Sequence, residues 1–204
     1  MLRIFRDART AKLVTALNTG DRDTLAKLAG KMDSAQLSAP LSEGLNAAEI
    51  TLQAGQSAAL TWVLERTELA NGRSADGTPY TLLALRHADQ SLGLLSALLQ
   101  AGADANARVE GRSLLHWCFD NVKPEQLMLH LSRLVQHGAD LSVETELVAE
   151  ALRRSDQPCV HFLIHSGAPL PEPIELIDCS DELRAYAKRC AEDKRIREMM
   201  LGNR

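Results

Sequence analysis

The chain has 204 residues, 45% of them apolar and only 3% aromatic, with a formal net charge of −4. That apolar share suits one domain or one repeat array and argues against wholesale disorder, and so few rings suit close-packed helices better than a β-sandwich. The charge balance provides no field to draw DNA or an anionic membrane, so no nucleic acid and no membrane is expected as a partner.

The start, Met1 to Arg9, carries charges where a secretory leader would need an apolar stretch. No run approaches the roughly 18 apolar residues of a membrane span. The four cysteines, Cys118, Cys159, Cys179 and Cys190, form no Cys-x-x-Cys pair and do not suggest a disulfide framework. The expected compartment is the reducing cytoplasm.

In chain order, Thr10 to Leu17 places Leu13, Val14, Ala16 and Leu17 on one helical face. Thr19-Gly20-Asp21 breaks that helix, and a second one follows with Leu25, Leu28 and Ala29. Ser38-Ala39-Pro40 ends this hairpin. A second hairpin takes Leu45, Ala48, Ile50, Thr51 and Leu52, turns at Ala54 to Ser57, and returns through Ala59, Leu60, Trp62, Val63 and Leu64. A third opens at Asp76-Gly77-Thr78-Pro79-Tyr80. Thr78 is the expected N-cap and Pro79 the first helical residue, where its missing N–H costs nothing. Its second helix runs from about Leu92 to Gln100 and stops at Gly102. A fourth opens at Glu110-Gly111-Arg112-Ser113-Leu114-Leu115-His116-Trp117 and closes at Gly138. A fifth opens near Glu146, has Pro158 just inside its second helix and closes at Gly167. Ile174, Leu176 and Ile177 are expected to cover the last hairpin. Ser180-Asp181-Glu182 then starts a helix with Leu183, Tyr186, Ala187 and Cys190 on one stripe.

One phrase recurs through this order. Leu98-Leu99-Gln100-Ala101-Gly102-Ala103-Asp104 returns as Leu134-Val135-Gln136-His137-Gly138-Ala139-Asp140 and as Leu163-Ile164-His165-Ser166-Gly167-Ala168, with the glycines 36 and 29 residues apart. A worn copy sits about 35 residues upstream, where Glu68 to Arg73 aligns with Ala103 to Arg108. Self-similarity at this period marks stacked repeats, each too small to bury its apolar face alone.

The openings at Asp76 to Tyr80 and Glu110 to His116, with the close at Leu98 to Ala107, resemble the D-x-x-G-x-T-P-L-H and L-L-x-x-G-A-D-x-N-A phrases of the ankyrin repeat family. Thr81 stands where that family has His, and Leu114 where it has Pro. The turns at His87 to Gln90 and Asp120 to Gln126 are lengthened. The resemblance implies an all-α ankyrin-repeat solenoid of stacked helical hairpins, forming a single domain over 1–204. Within it, 1–40 is an N-terminal capping hairpin, 42–170 the repeats and 171–204 a C-terminal helical cap. The excess of Arg over Lys adds the expectation of a GC-rich, bacterial coding sequence.

The family alignment turns the residue after the His position into the groove: Thr15, Ile50, Leu82, Trp117 and Glu150. Ile50, Leu82 and Trp117 would form an apolar ladder, flanked by Leu85/Arg86 and Asp120/Asn121. Trp with Leu and Arg is the composition of a binding hot spot, although Trp117 could equally pack between repeats. Arg73, Arg108 and Arg112 on the turn tips are suited to capturing carboxylates, or are ordinary solvated turns. His116 is expected to be structural. Cys118, beside it, is expected to be interior.

His161 and His165, four apart with Cys159 nearby, could share a metal, yet both are expected to face solvent with no further ligand at a fitting spacing. Nucleophile-elbow, Walker, H-E-x-x-H and dinucleotide-binding signatures do not occur. What the resemblance implies is a non-enzymatic, cofactor-free protein–protein interaction module, monomeric on its own, acting as an adaptor, inhibitor or masking partner for another protein. A metal-dependent regulator or enzyme using His161, His165 and Cys159 is the alternative.

Overall fold

A computed structural model describes residues 2–202. The protein is mostly helical, and the chain divides into two compact units, Met1–His137 and Gly138–Arg204. Among the described residues no helix is long and apolar enough to cross a membrane.

The first unit runs α1 (Leu2–Thr19), α2 (Arg22–Leu28), α3 (Ser34–Ser38), α4 (Ala47–Gln53), α5 (Ser57–Leu64), α6 (Tyr80–Leu85), α7 (Ser91–Gln100), the two-residue strands β1 (Arg108–Val109) and β2 (Arg112–Ser113), α8 (Leu114–Asn121) and α9 (Pro124–Gln136). Four hairpins result: α1/α2, α4/α5, α6/α7 and α8/α9. Like helices pack on like, α1–α4–α6–α8 in one row and α2–α5–α7–α9 in the other. Helices of six to eight residues, such as α4, α6 and α8, are too short to persist alone in water. Their stability comes from the sandwich of apolar faces, in which Leu13, Leu17, Leu60, Leu82, Leu85, Leu94, Leu98 and Leu114 are at most 1% exposed.

Local polar groups close the helix ends. Asn46 and Glu49 form a capping box at the start of α4, and Asn46 Nδ2 also donates to the Tyr80 hydroxyl at 2.8 Å, tying α4 to α6. At the other ends, Gly102, Gly138 and Gly167 all take positive φ (90°, 89° and 122°), the conformation that lets a helix stop and its last carbonyls be reached. Ala103 N donates to Leu98 O at 3.0 Å, and Ala168 N to Leu163 O at 2.9 Å. The recurring phrase is thus a recurring helix stop.

Pro79 corrects a detail. It is the N-cap of α6, not its first helical residue, with φ −61° and ψ 145°. The bridge between Arg73 and Pro79 holds Thr78 in the preceding turn, where its N–H donates to Asp76 Oδ1 at 3.0 Å instead of capping the helix.

The second unit holds α10 (Leu147–Arg153), α11 (Gln157–His165) and the long α12 (Asp181–Gly202), with α11 packed on both others. Asp156 caps α11 through Cys159 N, and Ser180 Oγ accepts from Leu183 N at the start of α12. Leu183, Ala187 and Cys190 are buried, while Tyr186 is only partly so. Of the residues expected to cover the last hairpin, Ile174 is 4% exposed but Leu176 is 81% exposed. They sit in a 3-10 turn, Ile174–Leu176, whose successive side chains are about 120° apart, so the two cannot face the same way.

Candidate functional site

The glycines of the turns fix the register between hairpins. Gly44, Gly77 and Gly111 have φ of 81°, 84° and 76° and stand 33 and 34 residues apart. The helices after them start at Ala47, Tyr80 and Leu114 with the same spacings, and α10 starts 33 residues later at Leu147. Equivalent positions are therefore Ile50, Leu83, Trp117 and Glu150, followed by Gln53, Arg86, Asp120 and Arg153. The expected ladder placed Leu82 one residue too early. Leu82 is 1% exposed and Leu85 fully buried, whereas Leu83 is partly exposed. Ile50, at 3% exposure, keeps its register but not its accessibility. Ile50, Leu82 and Leu85 are core residues because each faces the neighbouring hairpins of a short helix buried nearly all round.

Trp117 is partly exposed and built in from several sides. Its Nε1–H donates to Val109 O at 3.3 Å, so the turn between β1 and β2 sets the indole's orientation. That turn is tight: Arg108 pairs with Ser113 and Val109 with Arg112 across Glu110-Gly111, both at positive φ. The Arg86 guanidinium from α6 lies 5.4 Å from the indole centroid and that of Arg112 from β2 lies 4.9 Å away. Each such contact contributes about 0.5–1 kcal/mol at an exposed site. Arg112 also pairs with Asp120 at 2.6 Å. Asn121 Nδ2 turns back to Trp117 O at 2.9 Å. The structure thus brings Arg86, Arg112, Trp117, Asp120 and Asn121 together. It does not bring Arg73 and Arg108 into that cluster: the two line a separate cleft, and each donates to its own turn, to Gly77 O and Gly111 O.

Beside this cluster, also reaching Arg86, runs a groove of about 540 Å³. Leu45, Leu52 and Leu83 give it an apolar floor, and Glu43, Glu49, Asp76 and Arg86 stand along it. The Asp76 carboxyl is held down to about 2, first by the Ser74 hydroxyl and then by Thr78 N, so it is ionised and locked in its turn. Leu83, Leu45 and Asp76 were not among the expected site residues. The 34-residue step from Gly77 to Gly111 was the signal that would have found Leu83.

In the second unit, His161 is exposed and His165 partly buried on α11. Cys159 does not join them. Its side chain is fully buried and burial pushes its thiol up to about 12, so it behaves as a small apolar group. Cys118 is likewise buried, with its thiol pushed far up by desolvation. The group that does approach His161 is Cys190 from α12, with Sγ 3.8 Å from His161 Nδ1. His116 Nδ1 lies 3.0 Å from Ser113 Oγ within its own turn.

No protein-family model matches this chain, and no curated protein matches it.

Proposed function

We propose that this chain is a divergent ankyrin-type, non-enzymatic module that binds another protein through the face carrying Trp117, Arg86, Arg112 and Leu83. The observation that carries this reading is Trp117 itself. It is a large indole held partly open to solvent by a hydrogen bond, with two guanidinium groups over its ring and an apolar groove beside Arg86. A protein that needed Trp117 only for packing would bury it. A partly exposed Trp flanked by Arg is the composition that dominates binding energy at protein interfaces. Rows of short hairpins at 33- and 34-residue steps support the ankyrin-type reading, as does the glycine-stopped close of the α6/α7, α8/α9 and α10/α11 hairpins.

The chemistry of the face defines the partner's side. An apolar side chain fits the floor made by Leu45, Leu52 and Leu83, and a carboxylate fits the exposed Arg86. The role is that of an adaptor, inhibitor or masking partner, in the cytoplasm of a bacterial cell.

The test is capture of partners by wild type, by Trp117→Ala with Leu83→Ala, and by the surface control Gln100→Ala. The proposal expects the double variant to lose a partner that the control retains. If the folded double variant retains every partner, this face is not the site.

A further inference from the structure

The second unit carries chemistry that the protein-binding reading does not use. His161 and His165 are one turn apart on α11, their ring centroids 4.2 Å from each other, and Cys190 of α12 faces them. A ligand-capable atom of each of the three lies within 4.8 Å of the other two. We propose that His161, His165 and Cys190 bind a zinc ion that joins α11 to α12, with solvent at the fourth position.

Geometry supports this first. Tetrahedral zinc with Zn–N near 2.05 Å and Zn–S near 2.3 Å places an imidazole nitrogen about 3.6 Å from a thiolate sulfur. His161 Nδ1 and Cys190 Sγ are 3.8 Å apart, so that edge of the tetrahedron is formed without rearrangement. The remaining edges close by small rotations of two imidazoles that already share one helix face.

The hydrogen-bond inventory supports it second. His165 Nδ1 is buried and has no hydrogen-bond partner among the described residues. A buried ring nitrogen left unpaired costs about 1–3 kcal/mol, and a metal lone-pair bond would satisfy it.

The donor set chooses the ion. One thiolate and two imidazoles suit a borderline-soft tetrahedral cation, while magnesium and calcium require oxygen ligands. On binding, the Cys190 S–H bond breaks, sulfur keeps the electron pair for the metal and the proton leaves to solvent. The exposed side of His161 leaves the fourth position to water, and the hydroxyl of Tyr186, 2.9 Å from His161 Nδ1, gives up that contact when the metal takes the nitrogen.

The experiment uses the full chain, reduced and stripped with a chelator, and titrated with Co²⁺ as a visible surrogate for Zn²⁺. The proposal expects one equivalent to bind with a thiolate-to-cobalt charge-transfer band, zinc to displace it, and zinc to raise the melting temperature. Cys190→Ser abolishes the band and Cys179→Ser retains it. Because Cys190 is buried, His161→Ala at its exposed position is the second variant, and it weakens Co²⁺ binding by more than about tenfold. A folded wild type with no band, a band that survives Cys190→Ser, or unchanged affinity in His161→Ala each overturns the proposal.

Discussion

His130 is the most demanding test of how the first unit is held together. Its side chain is fully buried between α7 and α9. Nδ1 lies 2.9 Å from Gln126 O, and Nε2 lies 3.0 Å from Ser91 Oγ. A backbone carbonyl only accepts, so Nδ1 carries the proton and the Ser91 hydroxyl donates to Nε2. Replacing His130 by Ala leaves Ser91 Oγ unpaired in a place that is 3% exposed, costing about 1–3 kcal/mol, and opens a cavity costing about 2–4 more. A loss of at least about 3 kcal/mol is expected at pH 7.5. Desolvation lowers the imidazole's pKa in the folded state despite the opposing bond to Gln126 O. The unfolded chain therefore takes up a proton near pH 6.5 that the folded chain refuses. The stability held by neutral His130 is complete above about pH 6.5 and is lost as the pH falls below it, by up to about 1.4 kcal/mol per unit. The assay is urea unfolding followed by tryptophan fluorescence, since the protein's two tryptophans, Trp62 and Trp117, both lie in this unit. The gap between wild type and His130→Ala should narrow from pH 7.5 to pH 5. A gap that is constant or widens refutes the buried neutral tautomer.

Leu82→Ala should destabilise by about 2–5 kcal/mol, whereas Leu83→Ala should cost less than about 1 kcal/mol, and urea midpoints compare them directly. Gly72→Ala should destabilise by about 1–3 kcal/mol, because a Cβ there would lie 2.3 Å from the ring of Tyr80, itself buried and bonded to Asn46. Arg112→Ala and Asp120→Ala should show a coupling of about 1 kcal/mol or less in a double-mutant cycle, since both side chains are about two-fifths exposed.

What could be read from residues alone was the helical punctuation. Glycines that permit positive φ, the Ser180 cap and apolar spacing on short helices placed the five hairpins and the last helix. The face positions were harder. Thr78-Pro79-Tyr80 and Ser113-Leu114-Leu115 look alike, but they sit one residue apart in register: Gly77 is equivalent to Gly111, so Pro79 and not Thr78 is the equivalent of the cap residue Ser113. On a six-residue helix that slip exchanges a core side chain for a groove one, which is how Leu82 stood in for Leu83. Cys190 was visible only as part of an apolar stripe with Leu183 and Ala187. Its approach to His161 depends on how α12 lies along α11, and that is a packing outcome with no fixed spacing to search for. Cys159, near in sequence, points into the core instead.

The dissociation constant of a captured partner, measured for wild type and for Trp117→Ala, tests the proposed anchoring role of Trp117 most directly. A hot-spot tryptophan contributes about 2 kcal/mol or more, so Trp117→Ala should bind about thirtyfold more weakly with the unfolding profile of a folded protein. An unchanged dissociation constant for the folded variant would contradict it.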